Sequence, residues 1–213
     1  VAACDGQTGT VEEETKPTTQ MSPLLFDLTS LQREANGRFG FSARTTLSLA
    51  QSLYERHKVL TYPRTDSRAL PEDYLGTVKK TLEELGETRD FAPFARQILK
   101  QGWVKPNKRI FDNSNISHHF AITPTLQTPR SLNEAEQKLY DLVVRRFLSV
   151  FYPAAESMQT TRITRVGEHQ FKTEGKVLQN PGWLAVYGRA GGGENENLPA
   201  ITPDEKVAVR EIA

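Results

Sequence analysis

One change of period constrains this chain more than any other feature. Ala135, Leu139, Leu142, Val143, Phe147 and Val150 recur at helical spacing, and the run stops before Pro153. Directly afterwards, residues 160–166 and 170–177 carry Thr, Ile, Arg, Val and Phe around Gly167-Glu168-His169, the pattern of a β-hairpin. A period of 3.6 and a period of 2 cannot bury the same face, so a helical block and a β block must follow one another along the chain.

The earlier sequence extends both blocks. Residues 1–23 are rich in Thr, Glu and Gly, and residues 8–15 predict an exposed strand that Pro17 interrupts. Thr29-Ser30-Leu31-Gln32 has the form of a capping box, with Asn36-Gly37 as the helix end. A second helix is expected from Ser42, with Ala43, Leu47, Ala50 and Tyr54 on one face and Gln51 and Glu55 off it. Residues 59–62 read as a short strand stopped by Pro63. Pro71 suits a first helical position, and Leu75, Val78, Leu82 and Leu85 form a stripe that Gly86 ends. Residues 91–100 predict a short helix limited by Pro93, with Phe94, Ile98 and Leu99 inward; residues 102–129 are irregular; and Ser131-Leu132-Asn133-Glu134 is a second capping box opening the long helix. Residues 183–187 and 206–212 are further strand candidates, separated by a Gly/Asn/Glu loop at 190–198. The expected class is α+β: a mostly helical domain over 23–153, between β-rich pieces 1–22 and 154–213 that pair with each other.

Composition excludes more than it assigns. No apolar run approaches the roughly 20 residues of a membrane-spanning helix. The single Cys4 forms no internal disulfide and belongs to no zinc-binding spacing, which suits a reducing cytoplasm. With 27 basic and 26 acidic residues the net charge is +1, so any argument for a polyanionic partner must come from local placement. No Gly-rich loop ends in Lys-Ser or Lys-Thr, the signature of a nucleotide-phosphate cradle.

Chemistry concentrates in two segments. Leu60-Thr61-Tyr62-Pro63-Arg64-Thr65-Asp66-Ser67-Arg68 sets a phenol beside guanidiniums, hydroxyls and a carboxylate. A phenol with a free pKa of about 10 is a poor nucleophile at neutral pH unless a cation stabilises its anion. Arg64, two residues on, can serve a phenolate and a phosphodiester through paired hydrogen bonds. Taken alone, a Tyr-x-Arg pair is more often a core aromatic beside a solvated arginine. Ser117-His118-His119-Phe120-Ala121-Ile122-Thr123-Pro124-Thr125 offers an imidazole that can donate to a phosphate oxygen, although a lone histidine is more often a loop or packing residue. The two segments gain weight only together.

Gly40-Phe41-Ser42-Ala43, Ala50-Gln51-Ser52-Leu53-Tyr54-Glu55, Thr61-Tyr62-Pro63-Arg64-Thr65-Asp66-Ser67 and the later Phe111-Asp112, His119-Phe120-Ala121-Ile122 and Pro124-Thr125 resemble, in order, the type IA DNA topoisomerases, closest to the bacterial topoisomerase III branch. The resemblance implies a helical domain bearing the catalytic tyrosine, inserted into an antiparallel β-rich arch. It implies that Tyr62 attacks single-stranded DNA and stays joined to the 5′ phosphate, that Arg64 positions the tyrosine and the phosphate, and that His119 holds the phosphate. Arg64, His119, Ser67 and Arg68 are the expected DNA contacts. The implied partners are single-stranded, negatively supercoiled or catenated DNA, acted on without ATP by a monomer in the cytoplasm, at the nucleoid. Magnesium is implied on an acidic domain outside this chain, which contains no Asp-x-Asp and so reads as a fragment inactive by itself. Glu12-Glu13-Glu14 reads instead as a solvated charge run, because alternation sends neighbouring carboxylates to opposite faces. Two positions depart from the family pattern: His118 replaces an Asp or small residue, and Thr123 an apolar one. A competing reading takes Tyr54, Tyr62 and Phe120 as a non-catalytic platform for single-stranded nucleic acid. A tyrosine recombinase is set aside, since there the tyrosine comes last along the chain.

Overall fold

The computed structural model describes residue 4, residues 6–188 and residues 206–208. The elements run β1 (Thr8–Gln20), α1 (Leu28–Phe39), α2 (Ala43–Glu55), α3 (Leu75–Leu85), α4 (Ala92–Gln101), α5 (Glu134–Ser149), β2 (Ala155–Val166), β3 (His169–Asn180) and β4 (Lys206–Ala208), with 3-10 turns at Glu72–Tyr74, Asn113–Asn115 and Gly182–Tyr187. The chain is α+β and divides into two compact units, residues 1–21 with 154–213, and residues 22–153. No helix among the described residues is long and apolar enough to cross a membrane.

In the helical unit, both capping boxes form two residues away from their expected places. α1 is capped by Asp27, whose carboxylate accepts from the Ser30 amide at 2.6 Å, while the Ser30 hydroxyl lies 3.2 Å from the Asp27 amide. A carboxylate at an N-terminus gains both hydrogen bonds and the helix dipole, which a threonine at position 29 does not match. Asn36 and Gly37 lie within α1, and the chain leaves it at Gly40, whose φ of 70° suits a residue without a Cβ. α5 is capped by Asn133 with Glu136 as its reciprocal partner, three residues on, so Ser131 lies outside the box.

α5 is the centre of this unit, in contact with α1, α2 and α4. Its Leu139, Leu142, Val143, Phe147 and Leu148 are buried, as is Arg146. A buried guanidinium is tolerable only when paired. Arg146 pairs with Glu34, donates to the Leu24 carbonyl at 2.9 Å and lies 4.0 Å over the Phe26 ring. α3 buries Val78, Leu82 and Leu85 and packs against α4, which turns Ala95 and Ile98 inward. Residues 59–62 are not a strand: one bridge joins Leu60 to Pro124, and prolines at 63 and 124 withhold the amides that would extend the ladder.

The other unit is an antiparallel sheet in the order β3-β2-β1-β4. β1 continues through Pro17 to Gln20. Beyond Thr10, β2 flanks it on one side only among the described residues, and an edge strand accommodates a residue without an N–H. β2 and β3 are longer than expected and meet at a two-residue turn in which Gly167 has a φ of 58°. The glutamate run lies on β1: Glu13 pairs with Arg162 at 2.7 Å, Glu12 with Arg165, and Glu14 with Lys16. Residues 183–187 form a 3-10 turn rather than a strand, because Trp183 and Val186 are buried at a spacing of three and the Trp183 indole donates to the Gln20 carbonyl at 2.9 Å. Strand residues 206–208 pair with β1; the rest of the expected last strand and the loop at 190–198 lie outside the described residues.

Candidate active site

Hydroxyls of the tyrosine segment stitch it to the histidine segment. Thr61 donates its hydroxyl to the Ala121 carbonyl at 3.0 Å and receives the Thr123 amide at 2.9 Å. Thr65 donates to the carbonyl of His119 itself at 2.8 Å, and the Ser67 hydroxyl reaches the Asn115 carbonyl at 2.7 Å. Backbone bonds from Thr61 N to Thr123 O and from Ala121 N to Ala69 O, at 2.9 and 3.0 Å, add to the seam. Inner members of this seam are shielded from water, so each bond is hard to replace by solvent and the backbone of both segments is fixed.

On that support, the rings of Tyr62 and His119 lie with centroids 4.2 Å apart, and Tyr54 of α2 meets Tyr62 edge-on at 5.4 Å. They border an open cleft of about 600 Å³ lined also by Glu55, Lys58, Leu60, Thr61, Phe120 and Thr125. Among the described residues the Tyr62 hydroxyl has no hydrogen-bond partner, which leaves its oxygen available to the cleft.

Arg64 is exposed, and its guanidinium meets the side chain of Gln51. With the amide oxygen turned toward it, Gln51 accepts from Nη2 at 3.0 Å and Nε at 3.3 Å. The loop alternates from Pro63 to Ala69, with Pro63, Thr65, Ser67 and Ala69 buried and Arg64, Asp66 and Arg68 exposed. Ser67 therefore shapes the loop from inside and is withdrawn from solvent. Arg68 is engaged by Asp27 at 2.8 Å. Burial opposes ionisation of Asp27, but hydrogen bonds from Ser30 and Arg68 hold its carboxyl below the usual range, so this partner stays charged. The structure thus brings Tyr62 and His119 together, sets Arg64 beside Gln51, and directs Ser67 and Arg68 to structural partners.

The end of α2 is held by a buried carboxylate that sequence reasoning passed over. Glu136 accepts from the Ser52 hydroxyl at 2.7 Å, His57 Nε2 at 3.2 Å and the Asn133 amide at 3.0 Å. Burial acts against its charge, but these donors outweigh it and keep its pKa below the ordinary value. Gln51, Glu136, His57 and Lys58 were all missed; the signal that points to Glu136 is its position three residues after the Asn133 cap.

A DNA topoisomerase family model matches residues 1–213. DNA topoisomerase 3 of Bacillus cereus (strain ATCC 14579) is 46% identical over 190 residues, covering 88% of this chain and 26% of the relative. DNA topoisomerase 3 of Bacillus subtilis (strain 168) is 43% identical over 212 residues, covering 95% and 29%. The chain thus spans less than a third of the length of the curated relatives it matches. The structure of full-length topoisomerase I from Thermotoga maritima shares the fold, with a TM-score of 0.66 at 22% identity over 95% of this chain and 33% of that one. On the whole-length family match and these identities, the chain belongs to the type IA DNA topoisomerases, on the topoisomerase III side of that family.

Proposed function

We propose that this chain is the tyrosine-bearing part of an enzyme that cuts and rejoins single-stranded DNA to relax or decatenate duplexes. The observation that carries the reading is the Tyr62 hydroxyl at a cleft, without a hydrogen-bond partner among the described residues, with its ring against His119. The Tyr62 oxygen attacks phosphorus, the bond to the 3′ oxygen breaks, and the phenolic proton is exchanged for one on that 3′ oxygen. One phosphodiester replaces another, so rejoining is the same step reversed and needs no nucleotide. His119 donates to a non-bridging oxygen, and Arg64, oriented by Gln51, offers its remaining N–H groups to the same phosphate. Ser67 and Asp27 act behind them, fixing the loop and Arg68.

In this reading the helical unit, residues 22–153, is an insertion in a β-rich arch and moves as a gate for strand passage; the division of the chain into two units supports it. The whole enzyme acts as a monomer in the cytoplasm, at the nucleoid. Magnesium, which membership of the family implies, would screen phosphate charge. Among the described residues no three His, Cys, Asp or Glu side chains converge, and no step here passes through the ion.

The test uses the full-length parent and labelled single-stranded DNA. Wild-type protein forms a covalent adduct, and Tyr62→Phe loses the adduct while keeping DNA affinity. An adduct that persists in Tyr62→Phe refutes the assignment of the nucleophile, and absence of any wild-type adduct leaves a non-covalent DNA platform in its place.

A further inference from the structure

Among the described residues, Lys58 is the one non-glycine residue with a positive φ, 58°. Glycine or asparagine takes that conformation more easily, and helix exits usually place glycine there. The surrounding chain fixes it: the Lys58 carbonyl accepts from the Thr125 hydroxyl at 2.7 Å, Val59 N donates to Leu53 O at 2.9 Å, and Thr125 N to Val59 O at 3.0 Å. A strained non-glycine residue maintained this firmly is a signal of function rather than of folding need.

Its location says which function. Lys58 lines the same cleft as Tyr62 and His119, and Glu55 on that lining repels any phosphate entering it. Lys58 is the one lysine or arginine on the lining; it is exposed, and it forms no ion pair among the described residues. Arg64 and Arg68, the neighbouring cations, already face Gln51 and Asp27.

We infer that Lys58 binds a backbone phosphate of the single strand beside Tyr62, offsetting Glu55 and setting the strand's register on the nucleophile. This rests on the cleavage reading above. Lys58 borders the cleft at the point where α2 hands over to the tyrosine segment, four residues before Tyr62.

The test compares Lys58→Gly, Lys58→Gln and Lys58→Arg in the full-length parent, each also carrying Tyr62→Phe so that binding is read without cleavage. Binding of a labelled single-stranded oligonucleotide is measured across a salt series. One lost phosphate contact lowers the slope of log affinity against log salt by about 0.7, and affinity at low salt by roughly five- to tenfold. Glycine and glutamine should both show this loss, and arginine should retain wild-type behaviour. Glycine relieves the strain, so its melting temperature should equal or exceed that of wild type, which separates lost charge from lost fold. An unchanged salt slope in Lys58→Gly overturns the inference and leaves Lys58 as a helix exit only. Covalent capture with unmutated Tyr62 is run alongside: a shallower slope without any adduct retains the phosphate contact and rejects the cleavage reading.

Discussion

Replacing Glu136 by alanine removes the carboxylate that joins the start of α5 to the end of α2. The residue is 4% exposed, so its lost partners are not re-solvated at the same site. The reciprocal cap with Asn133 contributes about 1 kcal/mol. The bonds from Ser52 and His57 each bring roughly 1.5 kcal/mol or more as hydrogen bonds to a charged group. Loss of one partner of a buried polar cluster costs about 3–5 kcal/mol in other proteins, and we expect about 4 here. For a chain of this size that is a fall in Tm of about 10 °C. Glu136→Gln keeps an acceptor and loses the charge, with an expected cost of about 1–2 kcal/mol. Folding lowers this carboxyl's pKa below its ordinary 4.5, so its stabilisation is complete above that value and is lost as pH falls through the lowered one. Wild type and Glu136→Gln should therefore converge in acid. Urea unfolding followed by far-ultraviolet circular dichroism at neutral and acidic pH measures both effects. An alanine variant within about 1 kcal/mol of wild type, or a glutamine gap that persists in acid, refutes the reasoning.

Other outcomes follow from the same geometry. Arg64→Ala and His119→Ala in the full-length enzyme should each slow single-strand cleavage about a hundredfold, with Arg64→Lys recovering only part, as measured by adduct formation over time; full recovery by lysine would replace the fork geometry with a simple charge effect. Thr123 is fully buried with a hydroxyl that has no partner among the described residues, so the nearly isosteric Thr123→Val should stabilise by about 1 kcal/mol and raise Tm by about 2–4 °C in a thermal melt.

Helix existence was legible wherever an apolar stripe was long and bounded. Leu139, Leu142, Val143 and Phe147 mark α5, and Val78, Leu82 and Leu85 mark α3, because burial selects those positions whatever else the chain does. Helix starts were less legible, since several nearby residues can cap and only the folded geometry chooses among them. Asp27 and Asn133 won because their side chains reach the third amide along while that residue's side chain reaches back. Residues 183–187 were read as a strand from their apolar content, but the spacing of Trp183 and Val186 by three, visible in the same letters, is the period of a 3-10 turn.

The site was legible as two motifs, and its supports were not. In α2 the apolar letters Ala43, Leu47, Ala50 and Tyr54 suggested one face, whereas the buried face is Thr46, Ala50 and Leu53. Both stripes share Ala50, and tyrosine counts as apolar in any pattern, so periodicity could not separate them. The difference matters chemically: the observed rotation leaves Tyr54 38% exposed at the cleft and brings Gln51 to Arg64. A similar reversal applies to the hydroxyls. Ser67 was read among the DNA contacts beside Tyr62; in the structure Thr65 and Ser67 alternate with Arg64, Asp66 and Arg68 and turn inward. There Thr61 and Thr65 reach carbonyls 60 and 54 residues further along the chain. The conversion of two separated motifs into one site depends on those inward hydroxyls, and the chemistry proposed for the site depends on the groups that the same alternation leaves outside.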